Sequence, residues 1–134
     1  MLDRIDPRIL DMSESLCAAF NTRVEVAFVR NYPPTVNAPK EAAFTRKVME
    51  SIVGADKVYT QEPTMGAEDF SFMLQAKPGC YAFIGNGDGD HRTMGHGAGP
   101  CTLHNPSYDF NDELLPLGAT FWVRLAEEWL ATDV

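Results

Sequence analysis

Cysteine is scarce in this chain, basic charge is in the minority, and no apolar run is long. The 134 residues hold three cysteines. Cys17, Cys80 and Cys101 are widely spaced and form no Cys-x-x-Cys pair. That argues against a structural zinc site or redox motif of this kind and leaves reduced thiols as the expectation. Lys and Arg number 11 against 19 Asp and Glu, giving a formal net charge of -8. Such a chain lacks the basic face that displaces counterions from phosphates, so nucleic acid is not an expected partner. The longest wholly apolar run, Cys80 to Ile84, falls far below the ~20 residues that cross a bilayer. Met1-Leu2-Asp3-Arg4 does not lead a basic segment into an apolar one, so no secretory signal is read there. The expectation is a cytoplasmic protein without a membrane partner.

What is present is an ordinary globular balance, 45% hydrophobic and 22% charged, enough for one core or for parts of two domains. Asp6-Pro7 reads as an N-cap followed by proline at the first helical position, and Ile9, Met12, Leu16 and Phe20 recur at helical spacing, predicting a helix to about Phe20. Val24, Val26 and Phe28 alternate with Glu25 and Ala27 as in a half-buried strand, which Pro33-Pro34 stops. Pro39 opens a second helix with Phe44, Val48, Met49 and Ile52 on its buried stripe and Gly54 as its stop. A short strand is read at Lys57 to Thr60. A third helix is expected from near Ala67 to before Lys77-Pro78-Gly79, with Glu68 and Asp69 in its first turn and Phe70, Met73 and Leu74 inward. Cys80 to Gly85 suits a strand covered on both faces, the most buried segment of the chain. The last helix is placed at about Asp112 to Ala131, capped by Asn111, kinked by Pro116, with Leu114, Leu117, Phe121, Leu125 and Trp129 inward. On such elements Cys17 and Cys80 act as small hydrophobes.

The alternation of helices and strands argues for an α/β architecture. Three prolines between Tyr32 and Pro39 mark a domain boundary near residue 33. One helix and one strand before it are too little for an independent core, so their partner strands must come from elsewhere. An incomplete sheet leaves strand edges and apolar helix faces without partners, and a homo-oligomer is expected from that.

Gly85 to Pro106 has no apolar periodicity and carries six glycines and all three histidines. Unstructured runs of roughly 20 residues are uncommon in compact domains and are usually functional or disordered. Asp88-Gly89-Asp90-His91 and His96 offer carboxylate and imidazole donors, yet their spacing matches no helical pair of ligand histidines, and a solvated loop is the simpler reading. His104 differs, because Asn105-Pro106 constrains the backbone directly after it. Glu68 and Asp69 read locally as first-turn helix charges.

Taken together, Pro33-Pro34-Thr35-Val36-Asn37, Met65-Gly66-Ala67-Glu68-Asp69-Phe70, Gly85-Asn86-Gly87, Leu103-His104-Asn105-Pro106 and Tyr108-Asp109-Phe110-Asn111-Asp112 strongly resemble the hippurate hydrolase and indoleacetyl-amino-acid hydrolase family. That family lies within the aminoacylase and carboxypeptidase G group of metallopeptidases. The resemblance covers essentially the whole chain. It implies the closing part of a zinc-peptidase-like α/β catalytic domain at residues 34–134, preceded at residues 1–33 by the last helix and strand of an α+β lid or dimerisation domain. It implies a metal-ligand role for His104, with zinc, manganese or nickel all suited to a neutral imidazole. It places Gly66, Glu68 and Asp69 along the same cleft, in substrate contact or behind the ligands. The implied reaction is hydrolysis of an N-acyl amino acid. The departure from the family pattern is one-sided. There is no Cys-x-His pair, no further ligand histidine, and no adjacent glutamate pair placed to supply general base and ligand. A fragment that is inactive alone is therefore expected, and a non-catalytic binding or assembly module is the alternative.

Overall fold

In the computed structural model, residues 1–87, 103, 104, 106 and 108–131 are described. The chain divides into two compact units, Met1–Pro33 and Pro34–Val134.

In the first unit the helix α1 spans Leu2–Ala19. It begins four residues before the Asp6-Pro7 start, so Pro7 lies inside it. The Asp6 carboxylate is engaged elsewhere: Arg30 donates to Asp6 Oδ2 through Nε at 3.0 Å and to Asp3 Oδ1 through Nη1 at 2.6 Å. A side chain held by a guanidinium is not available to cap a helix, whereas a proline close to the N-terminus costs only one intrahelical bond. The other end is closed by a Schellman arrangement. Asn21 takes a left-handed φ of 54°, its N–H donates to Ala18 O at 3.1 Å, and Thr22 N–H donates to Cys17 O at 2.9 Å. Nothing in this unit is fully buried. Met12, Leu16 and Phe20, the apolar stripe read from the sequence, are exposed, and Cys17 is half-buried.

The second unit is built on α2, Pro39–Val53, and α4, Leu114–Ala131, which pack together, with α3, Phe70–Ala76, between them in sequence. Pro39 opens α2 as read, and Gly54 ends it at φ 89°, where an added Cβ would sit 2.7 Å from Asp56 Oδ1. Thr45 and Val48 of α2 are buried, and Phe44 meets the edge of Trp129 on α4 with centroids 5.2 Å apart. Leu114, Leu117, Phe121 and Leu125 are half-buried as expected, whereas Trp129, also read as inward, is 41% exposed, and Leu115, Trp122, Val123 and Leu130 of α4 are exposed. Pro116 falls in the first turn of α4, where its missing N–H has no intrahelical role, and Asn111 Oδ1 accepts from Glu113 N–H just before it.

The described residues contain helices and no β-strand, so the α/β sheet is not formed within them. Val24 to Phe28, Lys57 to Thr60 and Cys80 to Gly85 carry no ladder. Strand identity requires a neighbouring backbone. The latter two segments instead meet side chains. Arg46 donates to Val58 O at 3.2 Å and to Thr60 Oγ1 at 2.9 Å, tying Lys57 to Thr60 to α2. Cys80 to Gly85 is not the most buried stretch: Cys80 and Tyr81 are half-buried, and Phe83 and Ile84 are exposed. Glu68 and Asp69 precede α3 rather than form its first turn, and Met73 is exposed.

Candidate functional site

Residues 79–87 form the line on which the sequence motifs meet. At one end, Asn37 lays its side-chain amide against the backbone of Tyr81. Its Nδ2 donates to Tyr81 O at 2.8 Å, and its Oδ1 accepts from Tyr81 N–H at 2.7 Å, while Ala38 N–H donates to Gly79 O at 3.0 Å. Along one edge a primary amide presents an N–H and a C=O in peptide-like geometry, so it stands in for one rung of a ladder. At the other end Asn86 does the same to the segment before α4. Its Nδ2 donates to Asp109 O at 2.8 Å, its Oδ1 accepts from Asn111 N–H at 3.0 Å, and Asn111 Nδ2 returns a bond to Asn86 O at 3.2 Å. Gly87 follows at φ 73°, with Asn111 Nδ2 3.4 Å from where a Cβ would stand. A side chain there would strain the backbone and press on the tie.

Between these ties, the Tyr81 hydroxyl donates to Glu68 Oε1 at 2.9 Å. The phenol lies between Phe70 and Phe83, with centroids 5.8 and 5.2 Å away. The hydrogen bond to the Glu68 carboxylate is the main cause that holds the Tyr81 phenol above its ordinary pKa, with burial and the charges of Glu68 and Asp69 acting in the same direction. Glu68 is also fixed through its backbone: the buried Ser71 donates its hydroxyl to Glu68 O at 2.5 Å, and Ser71 N–H donates to the same oxygen at 3.2 Å.

His104 is exposed and takes a left-handed φ of 67°. Among the described residues only Asn21 shares a positive φ without being glycine. Histidine is enriched in that region of backbone space but still pays a steric cost there. Asp69 and Gly66 are exposed. Four of the five motifs are thus joined through 79–87, by Asn37, Glu68, Asn86 and Asn111, and no described contact links His104 to them. His91, His96, Asp88, Asp90 and Cys101 lie outside the described residues. Tyr81 is the functional candidate that sequence reading passed over. Its signal was present: it supplies the only side-chain oxygen in the apolar run from Cys80 to Ile84.

The chain matches Peptidase family M20/M25/M40 over residues 3–128. It is 36% identical over 99 residues to IAA-amino acid hydrolase ILR1-like 4 of Arabidopsis thaliana, an overlap of 74% of this chain and 21% of the relative. It is 30% identical over 110 residues to the hippurate hydrolase of Campylobacter jejuni, covering 80% of this chain and 26% of the relative. A putative glutamate--cysteine ligase 2-3 of Rhodococcus jostii is 31% identical over 121 residues, 90% of this chain but 14% of that protein. A match to so small a part does not say where in that protein the named activity resides. No solved structure matches. With nearly its whole length inside the profile, the chain belongs to this hydrolase family, Peptidase family M20/M25/M40. It spans about a quarter or less of the length of these three relatives.

Members of the family generally depend on a divalent metal. Among the described residues no three His, Cys, Asp or Glu side chains converge to hold one. The adjacent glutamates Glu127 and Glu128 lie on α4, where Glu127 pairs with Arg124 at 3.3 Å. A catalytic zinc site needs about three protein ligands. The described donor set does not fit a complete metal centre. Among the described residues no helix is long and apolar enough to cross a membrane.

Proposed function

We propose that this chain is the closing section of an amidohydrolase that cleaves the amide bond of N-acyl amino acids of the hippurate type. Residues 1–33 are the end of its lid or dimerisation domain and residues 34–134 the end of its catalytic domain. His104 is the metal ligand this section contributes. Glu68, with Gly66 and Asp69 beside it, lines the cleft. The remaining ligands and the general base come from outside the chain, which therefore does not turn over substrate alone. The observation that carries the reading is His104 itself, held exposed at a φ of 67° within Leu-His-Asn-Pro. Backbone held in a sparsely populated region clusters at ligand-binding positions. The names of the hydrolase relatives supply the substrate class.

Two measurements test it. Incubated with N-benzoylglycine and excess zinc, manganese or nickel, the purified chain should release no benzoate. Turnover proportional to protein and abolished by His104→Ala would overturn the fragment reading. A hybrid in which this chain replaces the matching section of the Campylobacter hippurate hydrolase should hydrolyse N-benzoylglycine. His104→Ala should lower that turnover at least about a hundredfold, since losing only an outer partner of a ligand costs 10- to 100-fold. A folded, active hybrid indifferent to His104→Ala would refute the ligand assignment.

A second reading is a non-catalytic binding or assembly module. It is favoured by the exposed Leu115, Trp122, Val123 and Leu130 on α4. A folded but inactive hybrid, with the chain forming dimers or larger species in light scattering, would support it.

A further inference from the structure

We infer that Tyr81 is the positioning residue for Glu68, fixing one carboxylate oxygen so that the other is presented to a hydrogen-bond donor of the substrate. The inference rests on the proposed function for the role of Glu68, and on the geometry of the pair for everything else. Three restraints converge on this one residue. The Tyr81 hydroxyl holds Oε1 at 2.9 Å. The Ser71 hydroxyl and N–H hold the backbone carbonyl at 2.5 and 3.2 Å, and Ser71 is fully buried. Tyr81 is in turn fixed at its own backbone by Asn37 and at its ring by Phe70 and Phe83. Among the described residues Glu68 Oε2 accepts no hydrogen bond, leaving it open to a donor. Asp69, the next residue, is exposed; its carbonyl accepts from Phe72 N–H at 3.0 Å, but among the described residues its carboxylate accepts no hydrogen bond, so the two carboxylates of the Glu-Asp pair are not equivalent.

A phenol suits this task because it is neutral at physiological pH and donates one directional hydrogen bond. It orients a carboxylate without neutralising it, as a lysine or arginine would. Any group acting at Oε2 therefore meets a charged oxygen in a fixed place. Such preorganisation matters because a displacement of about 1 Å can cost on the order of a hundredfold in rate.

The test is a double-mutant cycle in the hybrid enzyme, with Tyr81→Phe and Glu68→Gln. Phenylalanine retains the ring, so the contacts to Phe70 and Phe83 should persist and the melting temperature should fall only by the small amount expected for one lost hydrogen bond. Tyr81→Phe should lower kcat/KM about tenfold, the loss expected for one hydrogen bond to a charged group. Glu68→Gln should cost at least as much, and the double variant should be no worse than Glu68→Gln alone, because a positioning residue has nothing left to position. An unchanged kcat/KM in Tyr81→Phe, or additive losses, while His104→Ala still abolishes turnover, would overturn the inference and leave the proposed function standing. If the unsubstituted hybrid is inactive, the proposed function fails instead. The pair is then read in the 134-residue chain by NMR of ring-labelled tyrosine. Glu68→Gln should move the Tyr81 titration to lower pH, and an unmoved titration would overturn the positioning role.

Discussion

The two units meet the same problem, too little of their own sequence to bury, in different ways. In Met1–Pro33 a helix is held to the segment after it by charge, through Arg30 with Asp3 and Asp6, while its apolar stripe remains exposed. The two carboxylates, Asp3 first and then Asp6, raise the Arg30 guanidinium above its ordinary range. In Pro34–Val134 Val48 is fully buried on α2, Phe44 of α2 meets the edge of Trp129 on α4, and asparagine side chains take the place of strands among the described residues. The difference teaches where stability resides. Exposed ion pairs contribute little, whereas buried methyls and half-buried amide ties contribute more.

The comparison would break most clearly at Val48, the one fully buried hydrophobic side chain among the described residues. Val48→Ala should destabilise the second unit by about 2 kcal/mol. Urea unfolding followed by tryptophan fluorescence reads this directly, because Trp122 and Trp129 both lie on α4. Leu16→Ala on α1, 63% exposed, should change stability by less than about 0.5 kcal/mol. Equal effects would mean that the first unit's stripe is covered after all.

A smaller effect is expected at the ties. Asn86→Ala removes the partners of Asp109 O and Asn111 N–H and should cost about 1 kcal/mol in the same fluorescence assay. Smaller still, Arg30→Gln should lower the melting temperature of the first unit only at low salt. The difference should vanish near ~1 M sodium chloride, where screening reaches about 3 Å. Persistence at high salt would show a tie of the kind found in the second unit.

The smallest effect is one of pH. The folded Tyr81 pKa lies above its unfolded value, so its contribution is fully present below the ordinary tyrosine range and is lost as pH rises through the raised one. Alkaline unfolding should be shallower in Tyr81→Phe, as followed by circular dichroism across that window. An identical profile in both proteins would exclude a folded-state Tyr81–Glu68 bond in solution.

Much of the helical frame was legible in the sequence. Pro39 and Gly54 bound α2 as read, because proline at a first helical position and glycine at positive φ act through the local backbone alone. Asp6-Pro7 misled for the opposite reason: the carboxylate that looked like a cap is taken by Arg30, 24 residues away. The strands at Val24 to Phe28 and Cys80 to Gly85 could not be settled by pattern, since alternation and apolarity state which backbone would accept a ladder and not whether a partner is there. In the candidate site, the motifs carrying Glu68 and His104 were visible as residue types in order. The inequality of Glu68 and Asp69 was not, because it depends on Tyr81 arriving 13 positions later.

By itself, then, the sequence determined the family, the helices with local start and stop signals, and the residues able to do chemistry, all of which are encoded within a few neighbouring positions. Only the tertiary structure decided that Asn37 and Asn86 take the place of strand partners, that Tyr81 holds Glu68, and that His104 stands in left-handed backbone. Each of those depends on a distant group being brought within hydrogen-bond reach, or on the path of the whole loop, and neither is a property of any local pattern.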